Sequence, residues 1–156
     1  MPDLLEIRRL GPADIRSFRD LNALFGQAFE DPETYGGEPP SDQYLGQLLA
    51  KAEVIVLVAY TKGEVAGGLV AYVLDKFERA RRELYIYDLA VAAAHRRRGL
   101  ATALIRKLQA VAAEMCAWVV YVQADPEDAP AVALYKGLGT REEVFHFDFP
   151  VGDGRP

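Results

Sequence analysis

The stretch that most constrains the fold is residues 83–124, in which a long helix pattern lies between two strand patterns. The runs ELYIYDLAV (83–91) and WVVYVQA (118–124) are apolar and contain the aromatic and β-branched residues that strands favour. Between them, apolar residues recur at helical spacing from Leu100 to Met115. Because a crossover of this kind is right-handed and joins parallel strands, we predict that 83–91 and 118–124 are parallel in one sheet.

The N-terminal third of the chain predicts one strand and two helices. The run EIRRL (6–10) is typical of a short strand, and Pro12 suits the first turn of the helix that follows. The apolar face of that helix continues to Phe29, and a loop rich in glycine, proline and acidic residues occupies 30–40. Ser41 then predicts the N-cap of a second helix.

The remaining segments predict a hairpin, a short helix and a final strand. The runs 54–60 and 64–74 are expected to pair across the turn at Lys62 and Gly63. A short helix over 131–138 ends at Gly139. In EVFHFDF (143–149), phenylalanine occupies every second position, and this period of two indicates a half-buried strand.

The order of these elements predicts the fold class. One strand and two helices precede antiparallel strands, and a strand–helix–strand–helix–strand series follows. We therefore expect an α/β (α+β) fold, with a mixed, mostly antiparallel central sheet flanked by helices. A chain of 156 residues is long enough for one domain with a real core, so we predict a single domain over 1–156.

Composition excludes several classes of function. A formal net charge of -5 argues against a nucleic-acid-binding protein, which usually presents a basic face. Cys116 is the only cysteine, which we expect to be a buried thiol, and the two histidines are far apart, so no metal site is predicted. No apolar run reaches the roughly 18 residues that a membrane span needs. We expect a cytoplasmic protein that binds neither membranes nor nucleic acid.

The run His95-Arg96-Arg97-Arg98-Gly99 stands directly before the predicted long helix. The first backbone N–H groups of a helix have no partners inside it, and the positive end of the helix dipole lies there. Cations at this position oppose the dipole, unless an anion binds between them. The pattern therefore favours a phosphate site, with a solvated basic loop as the alternative.

This stretch resembles a known family. Arg96 to Ala101 (RRRGLA) are similar to the R/Q-x-x-G-x-G/A motif of the GCN5-related N-acetyltransferases, and the element order agrees over essentially the whole chain. The resemblance implies acetyl-CoA as co-substrate. It implies that the pyrophosphate of acetyl-CoA is held by Arg96, Arg97, Arg98, Gly99, Leu100, Ala101 and Thr102. It also implies that the preceding strand, at Leu89, Ala90 and Val91, pairs with the pantetheine, and that backbone N–H groups of this strand stabilise the oxyanion.

A closer resemblance covers several stretches. YLGQLL (44–49), YIYDLAV (85–91), HRRRGLATALI (95–105), VYVQAD (120–125), AVALY (131–135) and REEVFHFD (141–148) are similar to type I aminoglycoside 3-N-acetyltransferases, which modify gentamicin-type antibiotics. This implies acetyl transfer to the 3-amine of the 2-deoxystreptamine ring and a role in antibiotic resistance. A homodimer is expected only because proteins of this family commonly form one. An acetyltransferase for a polyamine or a protein amine, and a CoA-binding module without catalysis, remain as alternatives.

The candidate residues follow from the chemistry of acetyl transfer. Asp88 is a lone carboxylate inside an apolar strand, where it must be exposed by a bulge or paired with a cation. We expect it to act as the base or to bind and orient the amine. The resemblance implies that Tyr135 is the general acid for the leaving thiolate. Asp125, Glu127 and Asp128 follow a predicted strand and suit a polycation such as an aminoglycoside. Trp118 and the tyrosines are expected to be packing residues, and His95 to be exposed.

Overall fold

The computed structural model describes residues 4–153. Its elements are β1 (Leu5–Arg9), α1 (Ile15–Ala28), α2 (Pro32–Gly36), α3 (Asp42–Leu49), β2 (Val54–Thr61), β3 (Glu64–Lys76), β4 (Arg81–Val91), a 3-10 turn (Ala93–His95), α4 (Leu100–Glu114), β5 (Ala117–Val122) and α5 (Ala129–Leu138). The chain divides into two compact units, of which the first ends at Gln123 and the second begins at Ala124. No helix among the described residues is long and apolar enough to cross a membrane.

The first unit contains one five-stranded sheet in the order β1-β2-β3-β4-β5. The first three pairings are antiparallel, and β4 pairs with β5 in parallel. This confirms the predicted mixed, mostly antiparallel sheet, the hairpin and the parallel strands of the crossover. The β4–β5 pairing ends at Ile86↔Val122, whereas β4 continues along β3 to Val91. The edge of β4 over residues 87–91 is therefore open on the side of β5.

Helices cover both faces of the sheet, which explains why β2 is a continuous apolar run. On one face, Val54, Val56 and Val58 of β2 join a buried cluster with side chains of α1 and α3. On the other face, α4 packs against the strands, and Leu104 and Leu108 of α4 are fully buried.

A glycine on β3 allows α1 to pack closely on the sheet. A Cβ atom built on Gly68 would lie 2.6 Å from Leu21 Cδ1 and 2.7 Å from Leu57 O. Because real Cβ atoms do not approach so closely, any side chain at this position would displace α1 or β2. The close packing of α1 on this face of the sheet, where the site described below lies, thus depends on a residue without a side chain.

The N-terminal helices differ in detail from the prediction. Pro12 lies in a turn, and α1 begins only at Ile15, after the N-cap residue Asp14. The predicted loop over 30–40 contains the short helix α2, whose first turn is capped by the side chain of Asp31. The prediction of Ser41 as a helix cap is confirmed, because its Oγ accepts a hydrogen bond from the Tyr44 N–H at 3.1 Å.

Two packing predictions around β5 were wrong. Cys116 is exposed, in a left-handed conformation (φ 57°) at the turn that ends α4, rather than buried. Trp118 is also exposed, and the guanidinium of Arg81 lies 4.1 Å from the centroid of its ring. A cation–π contact of this kind holds the indole at the surface without burying it.

The second unit contains α5, and the predicted strand over 143–149 is wrong. No strand is assigned to any described residue of this unit, and Phe145, Phe147 and Phe149 are 91%, 75% and 86% exposed. The physical reason is that a period of two gives a strand only where a neighbouring strand supplies backbone hydrogen bonds and covers one face. The described residues of this unit provide no such neighbour.

Candidate active site

A β-bulge determines where the side chain of Asp88 points. Along β3, Ala71 pairs with Ile86 but the next residue, Val70, pairs with Asp88, so that Tyr87 is the extra residue. In a regular strand Asp88 would share the face of Ile86, which is buried. The bulge instead places Asp88 opposite Val70, on the face packed by α1. Of the two situations expected for this carboxylate, the structure shows the bulge.

Asp88 has a single polar partner among residues 4–153. The hydroxyl of Tyr35, in α2, donates a hydrogen bond of 2.6 Å to Asp88 Oδ1, and no cation pairs with this carboxylate. Burial raises the pKa of Asp88, and the hydrogen bond from Tyr35 offsets part of that rise. The carboxylate is thus half-buried, accessible to a ligand and more basic than an ordinary aspartate.

Sequence reasoning missed Tyr35. The residue lies in a stretch that was predicted to be a loop, and 53 positions separate it from Asp88. Its ring packs against Phe25 and Phe29 of the α1 region, with centroid distances of 5.8 and 5.6 Å. Burial and the charge of Asp88 raise the pKa of Tyr35, so its hydroxyl remains a proton donor at neutral pH.

The open edge of β4 carries backbone donors at the predicted positions. The Ala92 N–H donates to Ala66 O at 2.8 Å, toward β3. Because N–H groups alternate in direction along a strand, those of Leu89 and Val91 point away from β3, into the open edge. An extended ligand can pair with this edge as an added strand does. This geometry fits the predicted contacts of Leu89, Ala90 and Val91 with pantetheine.

The start of α4 has the features of an anion site. Gly99 is its N-cap, with φ 78°, and no side chain caps the helix. The first backbone bond in the helix is donated by Ala103 to Gly99 O at 3.0 Å, so the N–H groups of Leu100, Ala101 and Thr102 have no acceptor inside it. A Cβ atom on Gly99 would meet nothing within 4 Å, which leaves space for a bulky anion.

The three arginines before Gly99 are exposed and differ in their contacts. Arg96 donates from Nε to the carbonyl oxygen of Val91 at 3.3 Å, which ties the basic loop to the open edge of β4. Arg97 has a positive φ of 62°, and neither Arg97 nor Arg98 forms an ion pair within residues 4–153. Unpaired guanidinium groups beside free helix N–H groups fit a pyrophosphate. His95, expected to be exposed, is half-buried.

The remaining predicted site residues belong to the second unit. Tyr135 is half-buried in α5, and burial together with the negative charge of Asp128 raises its pKa. Asp128 caps α5 by accepting from the Ala131 N–H at 3.2 Å, and Asp125 accepts from the Glu127 N–H at 2.9 Å. Two of the three predicted substrate-binding acids in this unit therefore have local structural roles, whereas the Glu127 side chain is exposed and has no such bond among the described residues.

Comparison with known proteins identifies the family. The sequence profile of the acetyltransferase (GNAT) family matches residues 18–140. A crystal structure of an aminoglycoside acetyltransferase from an uncultured soil metagenomic sample is 53% identical over 96% of this chain and 99% of that chain, with a TM-score of 0.94. Another, from such a sample and in complex with sisomicin, is 31% identical over 95% and 97%, with a TM-score of 0.88.

More distant structures share the fold. The ribosomal-protein-alanine N-acetyltransferase of Brucella melitensis biovar Abortus 2308 is 23% identical over 96% of this chain and 100% of that chain, with a TM-score of 0.75. No curated protein sequence matches the chain significantly. The chain belongs to the acetyltransferase (GNAT) family of N-acetyltransferases, which take the acetyl group from acetyl-CoA.

Proposed function

We propose that this protein, with residues 1–156 acting as one catalytic domain, transfers the acetyl group of acetyl-CoA to an amine of an aminoglycoside. The observation that carries the proposal is Asp88, an accessible carboxylate without a cationic partner among residues 4–153, which a bulge places beside the open edge of β4. An ammonium group is the complementary ligand. Similarity to aminoglycoside acetyltransferases at 53% and 31% identity supports this substrate class.

The resemblance to type I enzymes favours the 3-amine of the 2-deoxystreptamine ring as the acceptor. Acetylation replaces a charged ammonium by a neutral amide. The product therefore binds ribosomal RNA less tightly, because the phosphates of RNA attract cations. Antibiotic resistance in the cytoplasm follows from this loss of affinity.

The proposed chemistry uses the candidate residues named from the sequence. Acetyl-CoA supplies a thioester as the electrophile. Asp88 binds the ammonium and takes its proton, directly or through a water molecule, and the freed amine then attacks the carbonyl carbon. The N–H groups of Leu89 and Val91 stabilise the oxyanion. When the C–S bond breaks, the hydroxyl of Tyr135 gives its proton to the leaving sulfur, and the second proton lost by the acetylated nitrogen passes through water and restores that hydroxyl.

Binding of the two substrates is assigned to separate groups. The pyrophosphate lies against Arg96, Arg97, Arg98 and the start of α4, from Gly99 to Thr102. Asp125, Glu127 and Asp128 bind further ammonium groups of the acceptor. Asp125 and Asp128 each use one carboxylate oxygen for a backbone hydrogen bond, and the second oxygen is the one assigned to a ligand.

We also propose that the chain forms a homodimer. The support is the segment 143–149, whose alternating Phe145, Phe147 and Phe149 are exposed in a single chain. Exposed large apolar side chains close together in sequence are typical of an interaction site, and a second copy of the chain is the proposed partner. Light scattering should give a dimer for the wild type and a monomer for the variant with all three phenylalanines changed to serine. A monomeric wild type at high concentration would rule the dimer out.

The experiment that tests the substrate class measures CoA release from acetyl-CoA. The acceptors are gentamicin, spermine, a lysine peptide and no acceptor. We expect release with gentamicin, and mass spectrometry and NMR of the product should place the acetyl group on the 3-amine. Release with spermine or the peptide alone would replace the aminoglycoside by another amine. CoA binding without release from any acceptor would contradict the enzymatic proposal.

A further inference from the structure

Six of the eight tyrosines of this chain lie on the α1 face of the sheet, which also carries Asp88, or on helices α2 and α3. Tyr35 is bonded to Asp88 itself. The others come from α3, β3, β4 and β5, and they are Tyr44, Tyr72, Tyr85, Tyr87 and Tyr121. The sequence predicted packing roles for the tyrosines, and the structure contradicts this for Tyr72, Tyr87 and Tyr121, which are exposed.

Four of these side chains form a continuous row across three strands, which we call the tyrosine row: Tyr72, Tyr87, Tyr85 and Tyr121. Tyr85 pairs in register with Tyr72 on β3 and with Tyr121 on β5. The rings of Tyr85 and Tyr121 are stacked at 4.8 Å, with an interplanar angle of 7°. The ring of Tyr87 meets those of Tyr85 and Tyr72 edge to face, at 5.7 and 6.1 Å.

The tyrosine row is open to solvent. Tyr87 is 64% exposed, and Tyr72 and Tyr121 are each more than a third exposed. Large aromatic rings contribute to stability chiefly through burial, so three partly exposed neighbours contribute far less than packed ones would. Aromatic side chains in contact with one another and with water are instead typical of a binding surface.

The charge around the tyrosine row favours a cationic ligand. Besides burial, the negative charge of Asp88 raises the pKa of Tyr72 and that of Tyr85, so Asp88 is close enough to act on both rings. Lys76 lies near Tyr121, but its ammonium is paired with Glu83 at 3.7 Å and with Glu78 at 4.0 Å. Ammonium groups bind to the faces of tyrosine rings through cation–π contacts.

We propose that the tyrosine row is the part of the acceptor site that binds the ammonium groups and sugar rings remote from the reacting amine, while Asp88 holds the reacting amine itself. This inference rests on the proposed function. The tyrosine row then determines the preference for acceptors with several amines, because an acceptor with one amine would engage Asp88 alone. Remote contacts of this kind lower the KM for the acceptor more than they raise kcat.

The test uses Tyr87→Ala, because Tyr87 is the most exposed ring of the row and its removal leaves the core intact. We expect the KM for gentamicin to rise roughly five- to thirtyfold, the equivalent of about 1–2 kcal/mol. We expect the KM for acetyl-CoA to stay within about twofold, since that substrate does not engage the ring. Tyr87→Phe should restore the KM for gentamicin, because the ring face remains. Phe77→Ala, which removes an almost fully exposed aromatic ring from the β3–β4 turn, is the matched control.

Two results would overturn the assignment. One is a KM for gentamicin in Tyr87→Ala that equals that of Phe77→Ala. The other is an equal rise in the two KM values, which would indicate a structural effect on the whole site. If the wild type acetylates no aminoglycoside, the proposed function fails, and calorimetric binding of gentamicin and spermine replaces the kinetics. If Tyr87→Ala binds either polycation more weakly than the wild type does, the tyrosine row is still supported as a polycation-binding surface. Equal binding by the two proteins, or no binding by the wild type, would refute this role.

Discussion

Replacement of Tyr35 by phenylalanine tests the link between α2 and Asp88. The change removes one hydroxyl, which donates a hydrogen bond of 2.6 Å to the carboxylate. The phenyl ring keeps its contacts with Phe25 and Phe29, so α2 should stay in place. Because Tyr35 stabilises the charged form of Asp88 and lowers its pKa, the variant should have a higher pKa at Asp88 than the wild type.

The magnitude follows from the strength of a hydrogen bond to a charged group. Such bonds contribute about 1.5–3 kcal/mol, and about 1.4 kcal/mol corresponds to one pH unit. Asp88 is half-buried, so solvent screens part of the effect and we take the lower end, a rise of about one pH unit. The acidic limb of the kcat/KM profile for gentamicin should therefore move up by about one pH unit, with little change on the alkaline side.

The control is Tyr60→Phe. Tyr60 donates from its hydroxyl to Ser17 Oγ at 2.8 Å, so this change also deletes a tyrosine hydroxyl bond but leaves Asp88 untouched. We expect its acidic limb to match that of the wild type. The reasoning would be refuted if Tyr35→Phe and Tyr60→Phe had the same acidic limb, or if the limb of Tyr35→Phe moved to lower pH.

Four further changes have defined outcomes. Because burial raises the pKa of Asp88, the folded state binds its proton more tightly than the unfolded state, and the contribution of Asp88 to stability falls as pH rises above about 4. The Tm of Asp88→Asn relative to wild type should therefore increase as pH rises from about 4 toward neutral, and a constant difference would contradict this. Arg98→Glu should raise the KM for acetyl-CoA about tenfold with a smaller effect on the KM for gentamicin, and an unchanged KM for acetyl-CoA would remove Arg98 from the phosphate site. Tyr135→Phe should lower kcat by about 100-fold or more if Tyr135 is the general acid, and unchanged turnover would exclude that role. Gly68→Ala should reduce the free energy of unfolding by about 1–3 kcal/mol in chemical denaturation, because its Cβ would lie 2.7 Å from Leu57 O; a variant as stable as the wild type would contradict the packing argument.

The parts of the fold that depend on local pattern were predictable from the sequence. The hairpin follows from two apolar runs around Lys62 and Gly63, both of which have positive φ values. The start of α4 follows from Gly99, and its anion-site features follow from the chemistry of helix ends. The lone aspartate in an apolar strand predicted either a bulge or a cationic partner, and the structure has a bulge beside Asp88.

The parts that depend on register across strands were not predictable. The spacing of Tyr85 and Tyr87 was a visible signal, because period two places both rings on one face. Nothing in the sequence, however, indicates that Tyr72 and Tyr121 pair with Tyr85 or that α1 and α3 leave this face open. The contact of Tyr35 with Asp88 is likewise a product of tertiary structure.

The strand predicted over 143–149 failed for a related reason. Alternation of apolar and polar residues describes one face of a strand, but a strand forms only against a partner. The sequence of one chain shows the alternation of Phe145, Phe147 and Phe149 and does not show what covers them.

The most direct test of the central claim compares gentamicin acetylation by the wild type and by Asp88→Asn at one pH. If the bulge places Asp88 to bind and deprotonate the amine, kcat/KM for gentamicin should fall by about 100-fold or more. The KM for acetyl-CoA should stay unchanged, because the amide at position 88 leaves the start of α4 and the edge of β4 intact. Wild-type turnover by Asp88→Asn would contradict the account.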